Sequence, residues 1–260
     1  MLSIYHWFGI QMQPGELYRA IKQAGFDCTT LWWGNYNYLN YRSHPESARK
    51  AGLCIESVHL PYSTINSLWL DNLEGGQLVE NLLQWVEDCA EFSIPTAVMH
   101  LSSGDNSPPF NSLGLDRLKR IIEKAENVNI NIALENLRKV EYLEYALKNI
   151  DSPKCGFCFD SGHQHFRSPE VDLLSMHGSR LMALHLHDND QTADQHLLPF
   201  DGTLDWDTTL RNIKATAFTG ATSLEVVNSG YKNLAPEEFL SIAYERAEKL
   251  AEKIKDCKNI

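Results

Sequence analysis

The run NIALENLRKVEYLEYALKNIDSPKCGFCFD, residues 131–160, contains the repeating unit of this chain. It opens on a short apolar segment, NIALEN, and closes on a second, CGFCFD, with the helical segment EYLEYALKN between them. Two apolar strands joined by a helix predict parallel pairing, because parallel strands need a long crossover connection. The run therefore predicts one strand-helix-strand unit.

The same alternation extends in both directions along the 260 residues. The predicted strands are LSIYHWF, DCTTLWW, CIESVHL, TAVMHL, NIALEN, CGFCFD, LMALHLH and TSLEVV. The predicted helices are GELYRAIKQAG, PESARKAG, LVENLLQWVEDCAEF, LDRLKRIIEKAEN, EYLEYALKN, VDLLSMHG, WDTTLRNIKA and EEFLSIAYERAEKLAEKI. Eight such alternations predict an α/β protein in which residues 1–260 form a single (β/α)8 TIM barrel. An open doubly wound sheet is the alternative, but the chain has neither GxGxxG nor GxxxxGK[ST], the glycine loops of nucleotide-binding sheets.

Composition excludes several classes of partner. The formal net charge is -11, which disfavours nucleic acid and anionic membrane surfaces. The sequence has no signal-peptide pattern and no apolar run near 18 residues, so we expect a cytoplasmic protein. We expect its six cysteines to be reduced. Cys155 and Cys158 have CxxC spacing, but they would point to opposite faces of one strand, which favours core packing over redox or zinc chemistry.

Side chains that bind metals fall where the predicted strands end. These residues are His59, His100, Glu135, Asp160, His185 and Glu225, and His163 and His187 follow shortly after two of the strand ends. The carboxyl ends of barrel strands open onto one face, so these residues converge. Glu135, Asp160 and Glu225 lie in otherwise apolar segments, where a buried carboxylate must be paired or bound to a metal. Mixed carboxylate and imidazole ligands suit zinc, manganese, iron or cobalt better than calcium or magnesium, and we expect zinc or manganese.

The order of several short motifs resembles one known superfamily. ENL, FDSGH, HLHDND followed by DQHLLPFDGTLDW, and SLEV are similar to motifs of the xylose isomerase-like TIM barrels, which include endonuclease IV and sugar phosphate isomerases/epimerases. HLLPFDGTLDW is most similar to the isomerase/epimerase group. The resemblance implies one divalent metal held by Glu135, Asp160, His185 and Glu225, with His163 contacting substrate. The arginine that this group carries after the strand-seven histidine is absent here.

The endonuclease IV pattern implies a longer set of ligands around three zinc ions. In this chain the matching residues are His59, His100, Glu135, Asp160, His163, His185, Asp194, His196 and Glu225. Asp194 and His196 would then hold the third ion, unless they are residues of a solvated loop. His187 lies on the same strand face as His185, so it either supports a ligand or is itself the ligand. One to three divalent ions are therefore expected.

The favoured function is isomerisation or epimerisation of a sugar or sugar phosphate through an enediolate. Glu135 and Glu225 would act as acid and base. Trp32 begins an aromatic loop, WWGNYNYLNY at 32–41, that could stack on a sugar, cap the site or form an interface, and His187 is a further candidate contact. Arg138 and Arg167 could anchor a phosphate.

Two other readings remain open on the sequence. An endonuclease IV-like zinc cluster could hydrolyse a phosphoester, with a small phosphorylated metabolite fitting the charge better than intact DNA. A metal-stabilised barrel could instead bind a sugar or a partner without turnover. A homodimer is compatible with the aromatic loop.

Overall fold

Eight parallel strands form one sheet in the computed structural model, which describes residues 1–34, 40–216 and 218–257. The strands are β1 (Leu2–Tyr5), β2 (Cys28–Trp32), β3 (Cys54–His59), β4 (Thr96–Met99), β5 (Asn131–Glu135), β6 (Cys155–Asp160), β7 (Leu181–His185) and β8 (Thr222–Leu224). Their order is β7-β6-β5-β4-β3-β2-β1-β8. Each strand thus pairs with its neighbours in sequence, except where β1 pairs with β8.

Helices connect the strands and cover the outside of the sheet. They are α1 (Pro14–Ala24), α2 (His44–Lys50), α3 (Leu73–Glu91), α4 (Ser112–Val128), α5 (Glu141–Asn149), α6 (Ser161–Arg167), α7 (Leu173–His177), α8 (Trp206–Ala215) and α9 (Pro236–Asp256). No helix within the described ranges is long and apolar enough to cross a membrane.

The two ends of the sheet meet just beyond β7 and β8. Leu186 and Leu224 form an isolated parallel bridge. The Leu186 amide donates to the Ser223 carbonyl at 2.9 Å, and the Glu225 amide donates to the Leu186 carbonyl at 3.1 Å. This short seam brings the sheet round into a nearly closed barrel, so the predicted (β/α)8 fold is confirmed and the open sheet is wrong.

The main core lies between the sheet and its helices. Ile21 of α1, Leu82 of α3 and Leu118 of α4 are fully buried there. Burying each such side chain contributes about 1.5–3 kcal/mol. A separate small cluster fills the barrel interior with Val98, Ala133, Cys158 and Ala183. The interior is therefore packed with small side chains, as expected for a barrel that carries its polar groups at one mouth.

Two expectations from the sequence were wrong. Residues 161–167 form helix α6, which is not among the predicted helices, because the Asp160 side chain caps the helix by accepting the His163 amide at 2.6 Å. Cys28 and Cys54 form a disulfide instead of two reduced thiols, since they are register partners on adjacent strands with Cα atoms 4.4 Å apart. Cys155 and Cys158 are free, buried and in different clusters, as predicted.

Candidate metal centre at the barrel mouth

The strand ends deliver the predicted side chains to one place. β3, β5, β6 and β7 end on His59, Glu135, Asp160 and His185, while His100 and Glu225 each follow a strand by one residue. All six are buried. Three groups of ligand atoms could hold a metal ion: His59, Glu135 and His185; Glu135, Asp160, His185 and Glu225; and His163, Asp194 and His196 with His187. The first two groups share Glu135 and His185, the third is separate, and His100 is paired to Glu135. The structure thus brings the nine candidate ligands together.

Glu135 is the common member of the inner groups. His59 Nε2 and His100 Nε2 each lie 3.2 Å from its Oε2 atom. His163 Nδ1 lies 3.2 Å from Oε1. One buried carboxylate therefore faces imidazoles from three separate elements, which is an arrangement suited to bridging two cations.

A second carboxylate faces the first across His185. Its Nδ1 atom is 2.8 Å from Glu225 Oε2 and 3.7 Å from Glu135 Oε2. Ligand atoms of Glu135, Asp160, His185 and Glu225 all lie within 4.8 Å of one another. We call these four residues the central cluster. Its three carboxylates and one imidazole match the ligand preferences of zinc and manganese.

A third group lies at the outer edge of the mouth. His163 Nε2 is 3.1 Å from Asp194 Oδ2, and His196 Nε2 is 3.4 Å from Asp194 Oδ1. We call these three residues the outer cluster. Asp194 and His196 are thus half-buried beside His163, and their role as ligands stays a prediction.

Backbone carbonyls orient several of the imidazoles. The Nδ1 atoms of His59, His163 and His196 donate to the carbonyl oxygens of Leu60, Asn136 and Glu225 at 3.0, 3.0 and 2.7 Å. Each bond fixes the ring with a proton on Nδ1 and turns Nε2 toward a carboxylate of the site, where Nε2 would present its electron pair to a bound metal. This is how metal-binding histidines are held in proteins.

Several buried polar atoms of the site lack a hydrogen bond from the described part of the chain. They are Glu135 Oε2, Glu225 Oε2, Asp194 Oδ1, both ring nitrogens of His185 and Nδ1 of His187. Their neighbours are close but poorly aligned for hydrogen bonding. Unsatisfied buried carboxylates are costly, whereas a divalent cation would satisfy them. The donor set therefore fits a metal.

The electrostatics keep the two glutamates ionised. Burial alone would raise the pKa of Glu135, but the imidazoles of His100 and His185 outweigh it and hold that pKa well below its usual range. Burial also opposes ionisation of Glu225, and His185 again prevails and lowers the pKa of that carboxyl. Both groups are available as proton acceptors or metal ligands at neutral pH.

His187 supports the site from behind. Its Nε2 atom donates to Asp160, with the two carboxylate oxygens 3.0 and 3.1 Å away. Its ring stacks on His196 at 3.9 Å between centroids and 12° between planes. His187 is also one of the four residues of the outer group whose ligand atoms all lie within 4.8 Å of one another, and its Nδ1 atom has no hydrogen bond from the described part of the chain. The bond to Asp160 agrees with a supporting role, and direct ligation remains the alternative.

Asp188 organises the loop that carries the outer cluster, and sequence reasoning missed it. The buried carboxylate accepts the Phe200 and Leu204 amides at 3.0 and 3.1 Å and the Trp206 indole N–H at 2.8 Å. These bonds fold residues 189–204 back on β7. The signal was present in HLHDND, where an aspartate follows the last histidine of an apolar strand.

A cavity of about 700 Å³ opens beside the clusters. Its lining includes His59, His196 and Glu225 of the site, the aromatic residues Tyr5, Trp7, Trp32 and Tyr62, and Val227, Asn228, Ser229, Lys232 and Gly9. Trp32 thus borders the site, and its contact with substrate stays a prediction, whereas positions 35–39 of the predicted aromatic loop lie outside the described residues. Trp7, Tyr62 and Lys232 were not identified from the sequence.

The two candidate phosphate anchors lie on another part of the surface. Arg138 Nε is 3.3 Å and Arg167 Nη1 is 3.9 Å from Asp105 Oδ1. Neither arginine is among the described residues that line the 700 Å³ cavity. Their contact with substrate remains a prediction.

Comparison with known proteins agrees with this architecture. The family model of the xylose isomerase-like TIM barrel matches residues 18–255. The uncharacterized protein y4fM of Sinorhizobium fredii is 32% identical over 302 aligned positions, which cover 99% of this chain and 96% of that protein. The probable endonuclease 4 of Mycoplasma capricolum is 28% identical over 142 residues, covering 50% of this chain and 48% of that protein.

Solved structures share the fold at low identity. A D-tagatose 3-epimerase-like protein superposes with a TM-score of 0.76 at 22% identity, covering 98% of this chain and 97% of that one. The IolI protein with a bound zinc atom gives a TM-score of 0.77 at 15% identity, with both chains fully covered. With the barrel, the convergent ligand set and the match over residues 18–255, the chain belongs to the xylose isomerase-like TIM-barrel family.

Proposed function

We propose that the protein is a metal-dependent isomerase or epimerase acting on a sugar or sugar phosphate. The carrying observation is the central cluster, in which Glu135 and Glu225 are both buried, both ionised and both in contact with His185. Two carboxylates around one substrate position can remove a proton beside a carbonyl and return it elsewhere. Epimerases among the solved structures of this fold are compatible with that chemistry but show only the fold.

The two glutamates have complementary roles in the proposed proton transfer. One glutamate takes the proton from the carbon next to the substrate carbonyl, and the other returns a proton to the resulting enediolate. His185 lies between them and holds the Glu225 carboxylate at 2.8 Å. His187 fixes Asp160, and burial keeps water from competing for the proton.

A divalent ion bound here would polarise the substrate carbonyl and stabilise the charge that develops on its oxygen. Glu135, Asp160, His185 and Glu225 would hold it, and zinc or manganese fits these donors best. His59 and His100 with Glu135, and the outer cluster, could hold two more ions. We propose a cytoplasmic enzyme of one domain, with a small molecule as its partner and a homodimer as its assembly in solution.

The test is the Glu135→Gln variant, in which the neutral amide can neither accept the proton nor balance the metal charge. We expect the exchange of solvent deuterium into a panel of free and phosphorylated ketoses and aldoses to fall by at least a thousandfold. Glu141→Gln, at an exposed position of α5, is the matched control and should exchange at the wild-type rate. Near-normal exchange by Glu135→Gln, with an unchanged circular dichroism spectrum, would contradict the proposal.

One observation favours a second function, the hydrolysis of a phosphoester. The outer cluster adds a separate ligand group to the central one, as in multinuclear hydrolytic sites. Elemental analysis of untagged protein distinguishes the two functions. Three zinc ions per chain, reduced to two in His196→Ala with loss of activity on small phosphomonoesters and diesters, would favour the hydrolase. One ion per chain would favour proton transfer on a sugar.

A further inference from the structure

A second cavity, of about 460 Å³, adjoins the barrel mouth, and the proposed proton transfer makes no use of it. Its lining comes mainly from the connections that follow β1 and β2, and it shares Trp32 with the 700 Å³ cavity of the metal centre. The Trp32 ring is 5.4 Å from the His59 ring, centroid to centroid. A ligand in the second cavity would therefore contact the same indole group that borders a candidate metal ligand.

Two buried histidines line this second cavity. His6 and His44 are 7% and 6% exposed, and their ring centroids are 5.0 Å apart. The His6 Nδ1 atom accepts the Trp32 amide at 3.1 Å, while the Thr30 carbonyl is farther from it at 3.3 Å. Because an amide N–H can only donate, the proton of the neutral His6 ring lies on Nε2. The Tyr18 hydroxyl contacts the Nδ1 atom of His44 at 2.6 Å. The Nε2 edge of each ring is thus the edge that can meet a ligand.

The polar groups of the second cavity favour an uncharged ligand. Burial, followed by the neighbouring His44, lowers the pKa of His6 to about 3, and burial lowers the pKa of His44 as well. Both rings are therefore neutral at pH 7. Nearer to solvent the lining carries the amides of Gln11 and Gln13 and the carboxylate of Glu16. Among the described residues that line this cavity there is no lysine or arginine, so a phosphate or carboxylate would find no cation there.

These groups together match the chemistry of a sugar ring. Sugar hydroxyl groups both donate and accept, so they can donate to Glu16 and exchange hydrogen bonds with the amides and the neutral imidazoles. The C–H surface of a sugar is apolar and packs against an aromatic face such as that of Trp32. The volume of the cavity falls within the range of small-molecule sites. A neutral polyhydroxylated ring is therefore the ligand class that uses the whole lining.

We propose that the second cavity is a subsite for a second sugar unit, so that the substrate is a reducing disaccharide. The proposal rests on the proposed function, because the reducing unit is placed at the central cluster. In a 4- or 6-linked disaccharide the reducing unit opens to a free carbonyl. A proton leaves the carbon next to that carbonyl and returns within the same unit, while the glycosidic bond stays intact. His6, His44 and the two glutamine amides bind the second unit and determine how long a substrate is accepted.

Calorimetric titration of the zinc-loaded protein tests the subsite by comparing disaccharides with their own reducing units. Maltulose, lactulose and isomaltulose are compared with fructose, and maltose, cellobiose and melibiose with glucose. We expect at least one disaccharide to bind at least tenfold more tightly than its monosaccharide. This preference should fall below threefold in Ile10→Trp, whose larger side chain fills the second cavity. It should fall at least threefold in the double variant Gln11→Ala/Gln13→Ala, which changes only exposed positions. Gln77→Ala, at an exposed position of α3, is the matched control and should keep the preference.

A preference below tenfold for every disaccharide would overturn the subsite, as would a preference that Ile10→Trp and the double variant both retain. Solvent-deuterium exchange into the same sugars reports separately on the proposed function. A protein that exchanges deuterium into the monosaccharides but shows no disaccharide preference has the proposed function without the subsite. A protein that prefers a disaccharide, loses the preference in both variants and exchanges deuterium into none of the sugars has the subsite without the proposed function.

Discussion

Asp160 shows how much one side chain contributes at this site. Its carboxylate caps α6 through the His163 amide and accepts the Nε2 proton of His187. The Asn136 side chain pairs with its backbone, accepting its amide at 2.7 Å and donating to its carbonyl at 2.8 Å. The carboxylate is therefore fixed before any metal arrives, which lowers the entropy cost of binding one.

His187 should control metal affinity without being a ligand. We expect His187→Ala to weaken zinc binding by about 10- to 100-fold, because Asp160 loses its orienting donor. His187→Gln, whose amide can donate to Asp160, should recover part of the affinity. Competition titration with a chromophoric chelator measures the change, with His177→Ala on α7 as the control. Loss of a whole ion from both His187 variants would indicate direct ligation instead.

His6 makes folding stability depend on pH. Burial, followed by the neighbouring His44, lowers the pKa of His6 from its ordinary 6.5 to about 3. The unfolded chain therefore binds a proton at His6 below pH 6.5, whereas the folded chain does so only as the pH approaches 3. The contribution of His6 to the free energy of unfolding is therefore fully present above pH 6.5 and is lost as the pH drops toward 3. Between pH 7 and pH 5, protonation of His6 in the unfolded chain should lower the free energy of unfolding by about 2 kcal/mol.

Urea unfolding at the two pH values tests this effect of His6. We expect the loss of unfolding free energy between pH 7 and pH 5 to be smaller in His6→Asn than in the wild type. Part of the loss should remain, because burial lowers the pKa of His44 as well. An equal loss in both proteins would contradict the assignment.

Among the elements, the loop 189–204 depends on Asp188. Asn at this position would keep one acceptor oxygen but replace the other by an NH2 group. That NH2 group would face the N–H donors of Phe200, Leu204 or Trp206 and could not accept their hydrogen bonds. We expect Asp188→Asn to destabilise the fold by about 3 kcal/mol and to expose the loop to cleavage by chymotrypsin. Asp190→Asn, at an exposed position of the same loop, is the control. Equal resistance of both variants to the protease would show that the loop keeps its conformation without the Asp188 carboxylate.

The sequence predicted correctly those features that depend on the periodicity of apolar residues. It did not predict the features that depend on contacts between residues distant in sequence. The strand ends at His59, Glu135 and His185 followed from short apolar runs that stop on a polar residue. The cap of α6 was missed because Asp160 was read only as a ligand. The disulfide depends on the register of β2 against β3, which two distant segments do not reveal.

For the whole molecule, the alternation of strands and helices was sufficient to predict the barrel and the face on which the site lies. It was not sufficient to predict the cavity. Trp7, Tyr62 and Lys232 come from three different connections, and their proximity is a property of the closed barrel. Composition predicts the net charge of the protein, but the balance of aromatic and ionic groups at the barrel mouth depends on which connections the closed barrel brings together.

The short contact between the ends of β7 and β8 should determine where the barrel opens locally. It carries His185 on one side and Glu225 on the other, joined through few backbone hydrogen bonds. An ion bound by both residues would cross-link β7 and β8 where few backbone hydrogen bonds join them. We expect zinc to slow amide hydrogen exchange at Leu186 and Glu225 by at least tenfold, measured by mass spectrometry, while the β4–β5 amides hardly change. Uniform slowing across all strands would mean that the ion stabilises the barrel globally.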